Sequence, residues 1–176
     1  MLRSRGTRAL VVLAAAALLA AAGGCTTYTK VNTGQVKEFR RDIRSQYKQI
    51  RDVHVRFNPT LVEILFTFRQ AVEEDEVKAI FARTKTLVQS RKFREQVIEE
   101  KYFAKYSKNA RIYPNIAIDF DLDRDGNAEY RHTSSYYVHG RAAALHPANP
   151  KSDIDGYKTW YYRTKENVMP EPVTDG

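Results

Sequence analysis

Four aspartates stand at alternate positions in the segment DFDLDRDGNAEY, residues 119–130. Carboxylates at this spacing in a tight loop converge on one point, and calcium takes roughly six to eight oxygen ligands of this kind in proteins. Gly126 permits the sharp turn that such convergence requires. The segment therefore predicts a Ca²⁺ site with these ligands: Asp121, Asp123, Asp125, Asn127 and Glu129.

The spacing D-x-D-x-D-G-x-x-E resembles the calcium-binding hairpin loops of integrin-type propellers, in which the ninth position closes the site. It departs from an EF-hand, because His132 stands where that loop needs a bidentate glutamate and the flanking segments are strand-like. The resemblance implies a metal that stabilises the loop. Two alternatives remain open. Asp-Gly between strands also suits a plain hairpin turn, and the Asp119–Asp125 region with His132 or His139 would suit a metal-dependent envelope hydrolase.

The first 25 residues, MLRSRGTRALVVLAAAALLAAAGGC, have the layout of an export signal. Arginines precede an apolar run over residues 9–22, which is short for a membrane-spanning helix of ~20 residues. The end of the segment, AAGGC, resembles the lipobox of bacterial lipoproteins, although Ala22 stands where the usual lipobox has leucine. The alternatives are a signal peptide cut elsewhere, with Cys25 unmodified, and an uncleaved anchor helix.

Cys25 is the only cysteine of the chain, which favours acylation because a lone thiol in an oxidising compartment forms no internal disulfide. The lipobox resemblance implies that residues 1–24 are removed and that Cys25 carries a covalent diacylglyceryl group and an acyl chain. Two or more acyl chains hold a protein firmly on a membrane. Thr26 follows the cysteine, which resembles lipoproteins sorted to the outer membrane, on its periplasmic face, in a Gram-negative cell.

Without residues 1–24 the chain has 152 residues and a net charge of +5. This length suits one compact domain with a core. Acidic residues are interleaved with the basic ones and no run of Lys and Arg reaches five, so the sequence carries no nucleic-acid signature. The modest positive charge instead suits anionic lipid headgroups or an acidic partner.

Changes in hydrophobic period predict the secondary structure. Apolar residues recur every three or four positions over residues 36–50 and again over 77–102, with a helix restart at Ser90. Alternation predicts strands at residues 52–57, 61–69, 116–120, 129–140 and 157–165. This order predicts an α+β fold, with a mostly antiparallel sheet of about five strands packed on helices. The predicted organisation is a cleaved signal peptide at 1–24, a lipidated cysteine and tether at 25–34, a single globular domain at 35–168 and a flexible tail at 169–176.

Aromatic residues gather in the C-terminal strands, with Arg131, Lys158 and Arg163 among them. They are Tyr130, Tyr136, Tyr137, Tyr157, Trp160, Tyr161 and Tyr162. Such side chains stack on sugar rings or bind peptides, and strands also favour them for packing alone. Phosphate-binding glycine loops, nucleophile elbows and Cys–His pairs do not occur in the sequence. We therefore expect a non-enzymatic binding or assembly module on the membrane, with an envelope protein or a glycan as its partner.

A Cys25→Ser variant should move from the membrane pellet to the soluble fraction, because serine has no thiol to take the lipid. Fractionation of cells that express each form measures this, and incorporation of labelled palmitate into the unmodified protein provides the control. Retention of the variant in the pellet would instead indicate an uncleaved helix.

Overall fold

The computed structural model describes residues 27–143, 154–167 and 169–173. The predicted signal peptide, residues 1–24, and the predicted lipidation site, Cys25, lie outside the described residues. In the part of the chain that is described, no helix is long and apolar enough to cross a membrane. Every described helix and strand lies between Thr29 and Pro172, so removal of residues 1–24 leaves all of them in place.

The described part of the chain contains five helices, two 3₁₀ turns and seven strands. The helices are α1 Gly34–Gln46, α2 Glu74–Gln89, α3 Arg91–Phe93, a π-helix Arg94–Tyr102 and α4 Gly140–Ala143, with 3₁₀ turns at Phe103–Lys105 and Lys108–Ala110. The strands are β1 Thr29–Lys30, β2 Ile50–Phe57, β3 Leu61–Phe68, β4 Asn115–Asp121, β5 Tyr130–Ser134, β6 Tyr161–Thr164 and β7 Glu171–Pro172.

The strands form one sheet whose spatial order follows the chain order from β1 to β7. All neighbours pair antiparallel except β3 and β4, which pair parallel. A parallel pair needs a long crossover connection, and α2 with the helical segments after it provides this connection. The N-terminal and C-terminal strands therefore lie at opposite edges, and β2 and β6 are about 19 Å apart at the usual strand spacing.

The α+β fold with a mostly antiparallel sheet is confirmed, but the predicted number of strands is too low. The sheet has seven strands in the described residues rather than about five, because β1 and β7 are two residues long and show no alternation in the sequence. β1 lies within the predicted tether, and β7 lies within the predicted flexible tail. Val173, also in that tail, donates a backbone hydrogen bond to the Trp160 carbonyl at 2.9 Å.

Local sequence signals explain where the helices begin. The Thr33 hydroxyl accepts a hydrogen bond from the Val36 N–H at 3.3 Å and caps α1. The Ser90 hydroxyl accepts one from the Phe93 N–H at 3.1 Å, which confirms the predicted restart. The apolar side of α1 is buried, at Val36 and Ile43, so this helix packs on its own domain.

Alternate residues of the strands form the core beneath the helices. The buried set on the central strands comprises Val62, Ile64, Phe66, Phe68, Ile116, Ile118 and Phe120. Across the parallel pair the rings of Phe66 and Phe120 stack with centroids 5.2 Å apart. The covered face of the sheet is therefore almost wholly apolar, and charged residues of β2 to β5 lie on the other face, which we call the polar face.

The polar face contains a buried ion network across four strands. Arg131 of β5 binds both carboxylate oxygens of Asp119 on β4, at 2.6 and 2.5 Å, and its Nη2 lies 3.6 Å from Glu63 on β3. Arg56 of β2 pairs with the same Glu63, and the Tyr28 ring lies 4.1 Å from the guanidinium carbon of Arg56. Glu63 and Asp119 are 3% and 1% exposed, so this network supplies the hydrogen bonds that water would otherwise give.

An Arg131→Met variant should lose about 3–5 kcal/mol of unfolding free energy, because it leaves Asp119 buried without its bidentate partner. Burial raises the pKa of Asp119 and Arg131 opposes that rise, so the carboxylate of the variant should take up a proton more readily. Urea denaturation measures the loss.

Arg163→Met provides the matched control, since Arg163 is the register partner of Arg131 on β6 and is half-buried on the same face. We expect it to cost no more than about 0.5 kcal/mol. Equal losses in the two variants would show that the ion network is not what stabilises the centre of the sheet.

Candidate functional site

The aspartate loop, residues 121–129, joins β4 to β5 as the predicted hairpin tip. Its own carboxylates fold it: Asp121, Asp123 and Asp125 each accept a hydrogen bond from a backbone N–H further along the loop, at 2.7, 2.9 and 2.7 Å. Gly126 has a φ of 90°, which lets the chain reverse at little steric cost. These bonds alone account for part of the aspartate pattern, because Asp side chains commonly form such turns.

A lysine from another strand lies among these carboxylates. The Lys165 ammonium, just after β6, is 2.8 Å from Asp125, 3.2 Å from Glu129 and 3.6 Å from Asp123. Its hydrogen bond to Asp125 lowers the pKa of that carboxyl to about 2, and the same contacts raise the pKa of Lys165. The ammonium thus places one positive charge beside carboxylates that the sequence predicts as calcium ligands.

The structure brings together part of the predicted ligand set. Asp121, Asp123 and Glu129 each place one carboxylate oxygen within 4.8 Å of the others. Asp125 instead faces Lys165, and the Asn127 N–H donates to Asp125. The donors are of the type that calcium prefers, and an ion here would have to compete with the Lys165 ammonium for Glu129 and Asp123.

The residues of the alternative hydrolase site lie apart. Asp119 is on the polar face, bound to Arg131. His132 is in register with Ile118 and lies on the opposite, helix-covered face, where it is buried. His139 lies beyond β5 and is exposed. His132 therefore lies on the opposite face of the hairpin from Asp119, and His139 lies outside the hairpin.

Four of the seven C-terminal aromatic residues show two different environments. Tyr157 and Trp160 are buried in the core, at 3% and 1% exposure, which agrees with packing as their role. Tyr130 and Tyr162 are only half-buried, and their rings stack with centroids 6.1 Å apart on neighbouring strands. The second pair is therefore available to contact something other than the core.

A pocket of about 480 Å³ opens between α2 and the C-terminal strands. Its walls are mostly apolar or aromatic: Val77, Phe81, Ala82, Tyr130, His132, Tyr162, Pro172 and Val173. Charged side chains of both signs complete the lining: Glu74, Lys78, Lys85 and Glu171. Volume and lining both match small-ligand sites, which span roughly 300–1,000 Å³ and combine apolar walls with a few polar groups.

His132 gives the pocket a flat, uncharged surface. Its ring stacks on Phe81 with centroids 3.9 Å apart and lies 5.0 Å from the ring of Tyr162. Burial lowers the pKa of His132 to about 4, so the imidazole is neutral at neutral pH. Nδ1 has no hydrogen-bond partner within the described part of the chain. The histidine thus adds an aromatic surface rather than a charge.

Several lining residues were not predicted from the sequence. Phe81 fits the apolar stripe of α2 equally well as a core residue, and it is in fact 6% exposed. Pro172 and Val173 belong to the segment predicted to be a flexible tail. The stacked pair Tyr130 and Tyr162 was recognisable by residue type, but only the β5–β6 register places the two rings side by side.

Millimolar Ca²⁺ should raise the melting temperature of the protein, and Asp123→Asn should abolish the rise, because Asp123 is one of the converging carboxylates. At a Ca²⁺ concentration about 100 times Kd we expect a rise of roughly 5–10 °C by differential scanning calorimetry. A Lys165→Gln variant should show a larger rise, since Ca²⁺ then meets no competing ammonium.

Asp75→Asn is the control, because Asp75 is an exposed helix residue away from the loop and should leave the rise intact. If Ca²⁺ raises the melting temperature of neither the unmodified protein nor Lys165→Gln, the loop is a plain hairpin turn without a metal site. Lys165 is then the group that neutralises its carboxylates.

Comparison with known proteins assigns no family to the chain. No family model, no curated protein and no solved structure matches it. The roles of the aspartate loop and of the pocket between α2 and the C-terminal strands, which we call the aromatic pocket, therefore follow only from their own geometry and chemistry.

Proposed function

We propose that the chain is a lipid-anchored, non-enzymatic binding module of the cell envelope, and that its pocket between α2 and β5–β6 holds a flat apolar group of an envelope partner. Suitable groups are the face of a sugar ring in a glycan or an aromatic or proline side chain of a protein. The aromatic pocket of about 480 Å³ is the observation that carries this proposal.

The wall chemistry favours a flat group over a small ion. The His132 ring packs on Phe81 at 3.9 Å and against Tyr162 at 5.0 Å, and Phe81 and His132 are only 6% and 5% exposed, so they form the floor of the pocket. The half-buried rings of Tyr130 and Tyr162 are its more accessible aromatic surface, and such surfaces bind C–H faces and other rings. At the rim, Lys78 is neutralised by Glu74 at 2.9 Å. The rim therefore offers hydrogen bonds to hydroxyl or amide groups without a strong net charge.

The placement of the ionisable groups supports binding rather than catalysis. Asp119 is held by Arg131, and Lys165 is held by Asp125 and Glu129. His132 faces aromatic rings, and burial is the cause of its low pKa. A general acid or base works best with a pKa near the working pH and a partner that orients it, and His132 has a low pKa and no hydrogen-bond partner for Nδ1 in the described residues.

The aspartate loop supports the pocket indirectly in this account. The Lys165 N–H donates to the Glu129 carbonyl at 2.9 Å, and the Lys165 ammonium pairs with the Glu129 carboxylate. These contacts fix β5 against β6 beside Tyr130, and so help to hold Tyr130 against Tyr162. A bound Ca²⁺ would serve the same structural purpose, by fixing the hairpin tip from which β5 emerges.

Photo-crosslinking from inside the pocket tests the proposal. With p-benzoylphenylalanine in place of Tyr162, irradiation of intact cells should yield an adduct, because this ring lines the pocket. The same replacement at Tyr161 is the matched control, since its side chain lies on the opposite face of β6 and is 42% exposed. Protease or glycan-hydrolase digestion of the adduct then distinguishes a protein partner from a glycan.

A Phe81→Ser substitution in the crosslinking protein should reduce the adduct from position 162 by at least about fivefold, because it removes one aromatic wall. Circular dichroism checks that this variant remains folded. Equal adducts from positions 161 and 162, or an adduct from 161 alone, would show that the pocket is not the binding site.

A further inference from the structure

The helix α1 carries a row of basic side chains along one exposed side. Lys37, Arg41 and Arg44 recur every three or four residues, the spacing that places side chains on one face of a helix. Lys48 lies two residues beyond the end of α1, and all four side chains are exposed. The part of the row that lies on α1, from Lys37 to Arg44, spans about 10 Å along the helix axis. It lies beside the buried apolar stripe of the same helix.

This row forms one side of a basic groove. Six basic residues line the groove, which has a volume of about 580 Å³: Lys37, Arg40, Arg41, Arg44, Lys48 and Arg69. The remaining lining residues, Ser45 and Ile50, are uncharged. A groove with six cations and no acid in its lining has a strongly positive potential and attracts anions.

Neighbouring carboxylates neutralise only part of this charge. Arg41 lies 3.1 Å from Asp42, and Arg44 lies 3.8 Å from Asp52. Lys37, Lys48 and Arg69 make no ion pair with any residue that the structure describes. The groove therefore retains cationic groups able to pair with an external anion.

Arg40 connects the groove to the start of the chain. Its Nη2 donates to the Val31 carbonyl at 3.4 Å, whereas its Nε has no hydrogen-bond partner among the described residues. Val31 follows Cys25 by six residues, a length that spans at most about 20 Å when fully extended. Arg40 also lines a second cleft, together with Lys30 and Arg56. A lipid on Cys25 would thus hold this basic side of the domain close to the bilayer.

We infer that the basic groove on α1 binds the phosphate groups of anionic phospholipids in the membrane that holds the protein, and so fixes the orientation of the domain on that surface. The inference rests on the proposed lipid anchor for its geometry. Phosphate headgroups match the groove because its cations lie on successive turns of α1, on the turn after it and just beyond β3 rather than around one point, which suits several headgroups and not a single free phosphate.

Vesicle binding of the chain without its lipid tests the inference. Residues 25–176 with Cys25→Ser should co-sediment with vesicles of phosphatidylethanolamine and phosphatidylglycerol, and much less with phosphatidylcholine alone. Each basic residue near an anionic bilayer strengthens binding roughly fivefold, so the triple variant Lys37→Gln, Lys48→Gln, Arg69→Gln, which removes the cations without an ion pair in the described residues, should bind about 100-fold more weakly. High salt should weaken binding of the unmodified groove.

The matched control is a second triple variant that loses the same number of positive charges from another part of the surface. Lys101→Gln, Lys105→Gln, Lys108→Gln removes three exposed cations from the π-helix and the turns after it, far along the chain from α1, and should change binding by no more than about threefold. Thermal melting confirms that both triple variants remain folded. Soluble glycerol phosphate, at the concentration of accessible anionic lipid, should not displace the protein from the vesicles.

Equal losses in the two triple variants would overturn the inference, because net charge rather than the groove would then control binding. Displacement by glycerol phosphate would also overturn it and indicate a site for free phosphate compounds. Failure to bind either type of vesicle would exclude a lipid surface and favour an acidic macromolecule. These outcomes do not depend on acylation, so they are distinguishable from a failed release of Cys25→Ser in cells.

Discussion

The Arg131 guanidinium holds together two carboxylates that the sheet has taken out of water. It binds Asp119 on β4 through two hydrogen bonds and lies 3.6 Å from Glu63 on β3. These strands form the parallel pair at which the chain returns from its helical crossover. The network therefore links the N-terminal hairpin to β5, which contributes Tyr130 and His132 to the pocket. Both halves of the domain depend on this link, since unpaired buried charges are strongly destabilising.

The sequence was informative wherever a structural signal is local. Ser90 and the Asp-Gly turn at residues 125–126 act on backbone groups a few residues away, so their roles were predictable. Contacts between segments that are distant in the sequence were not predictable. Lys165 lies 40 residues from Asp125 in the chain, and nothing in the composition of either segment indicates the pair. The parallel pairing of β3 with β4 is likewise a contact between distant segments, whereas β1 and β7 were missed because two residues are too few to show alternation.

In the candidate site too, local features were predictable and contacts between distant residues were not. Residue types identified the aspartate loop and the C-terminal aromatic residues, but only the fold shows which of them share a space. In the fold Trp160 is buried in the core, whereas Tyr162 lines the pocket with His132 and Phe81. The hydrophobic period of α2 cannot distinguish a core phenylalanine from one that also lines a pocket, since both face the sheet.

The order of the strands gives the domain two different edges. The β1 edge, with α1 and its basic groove, lies where the chain arrives from Cys25, and the β5–β7 edge contains the aromatic pocket. About 19 Å of sheet separates β2 from β6. In this account the first edge rests on the membrane and the second presents the pocket to a partner away from it.

Depth measurement on the lipidated protein tests this account most directly. With Cys25 acylated, a cysteine introduced at Ser45 or at Ala82 is the only free thiol of the chain and takes a fluorescent label. Ser45 lines the basic groove and Ala82 lines the aromatic pocket. With headgroup-quencher lipids in the vesicle, the account predicts strong quenching at position 45 and little at position 82. Equal quenching at the two positions, or stronger quenching at 82, would contradict it.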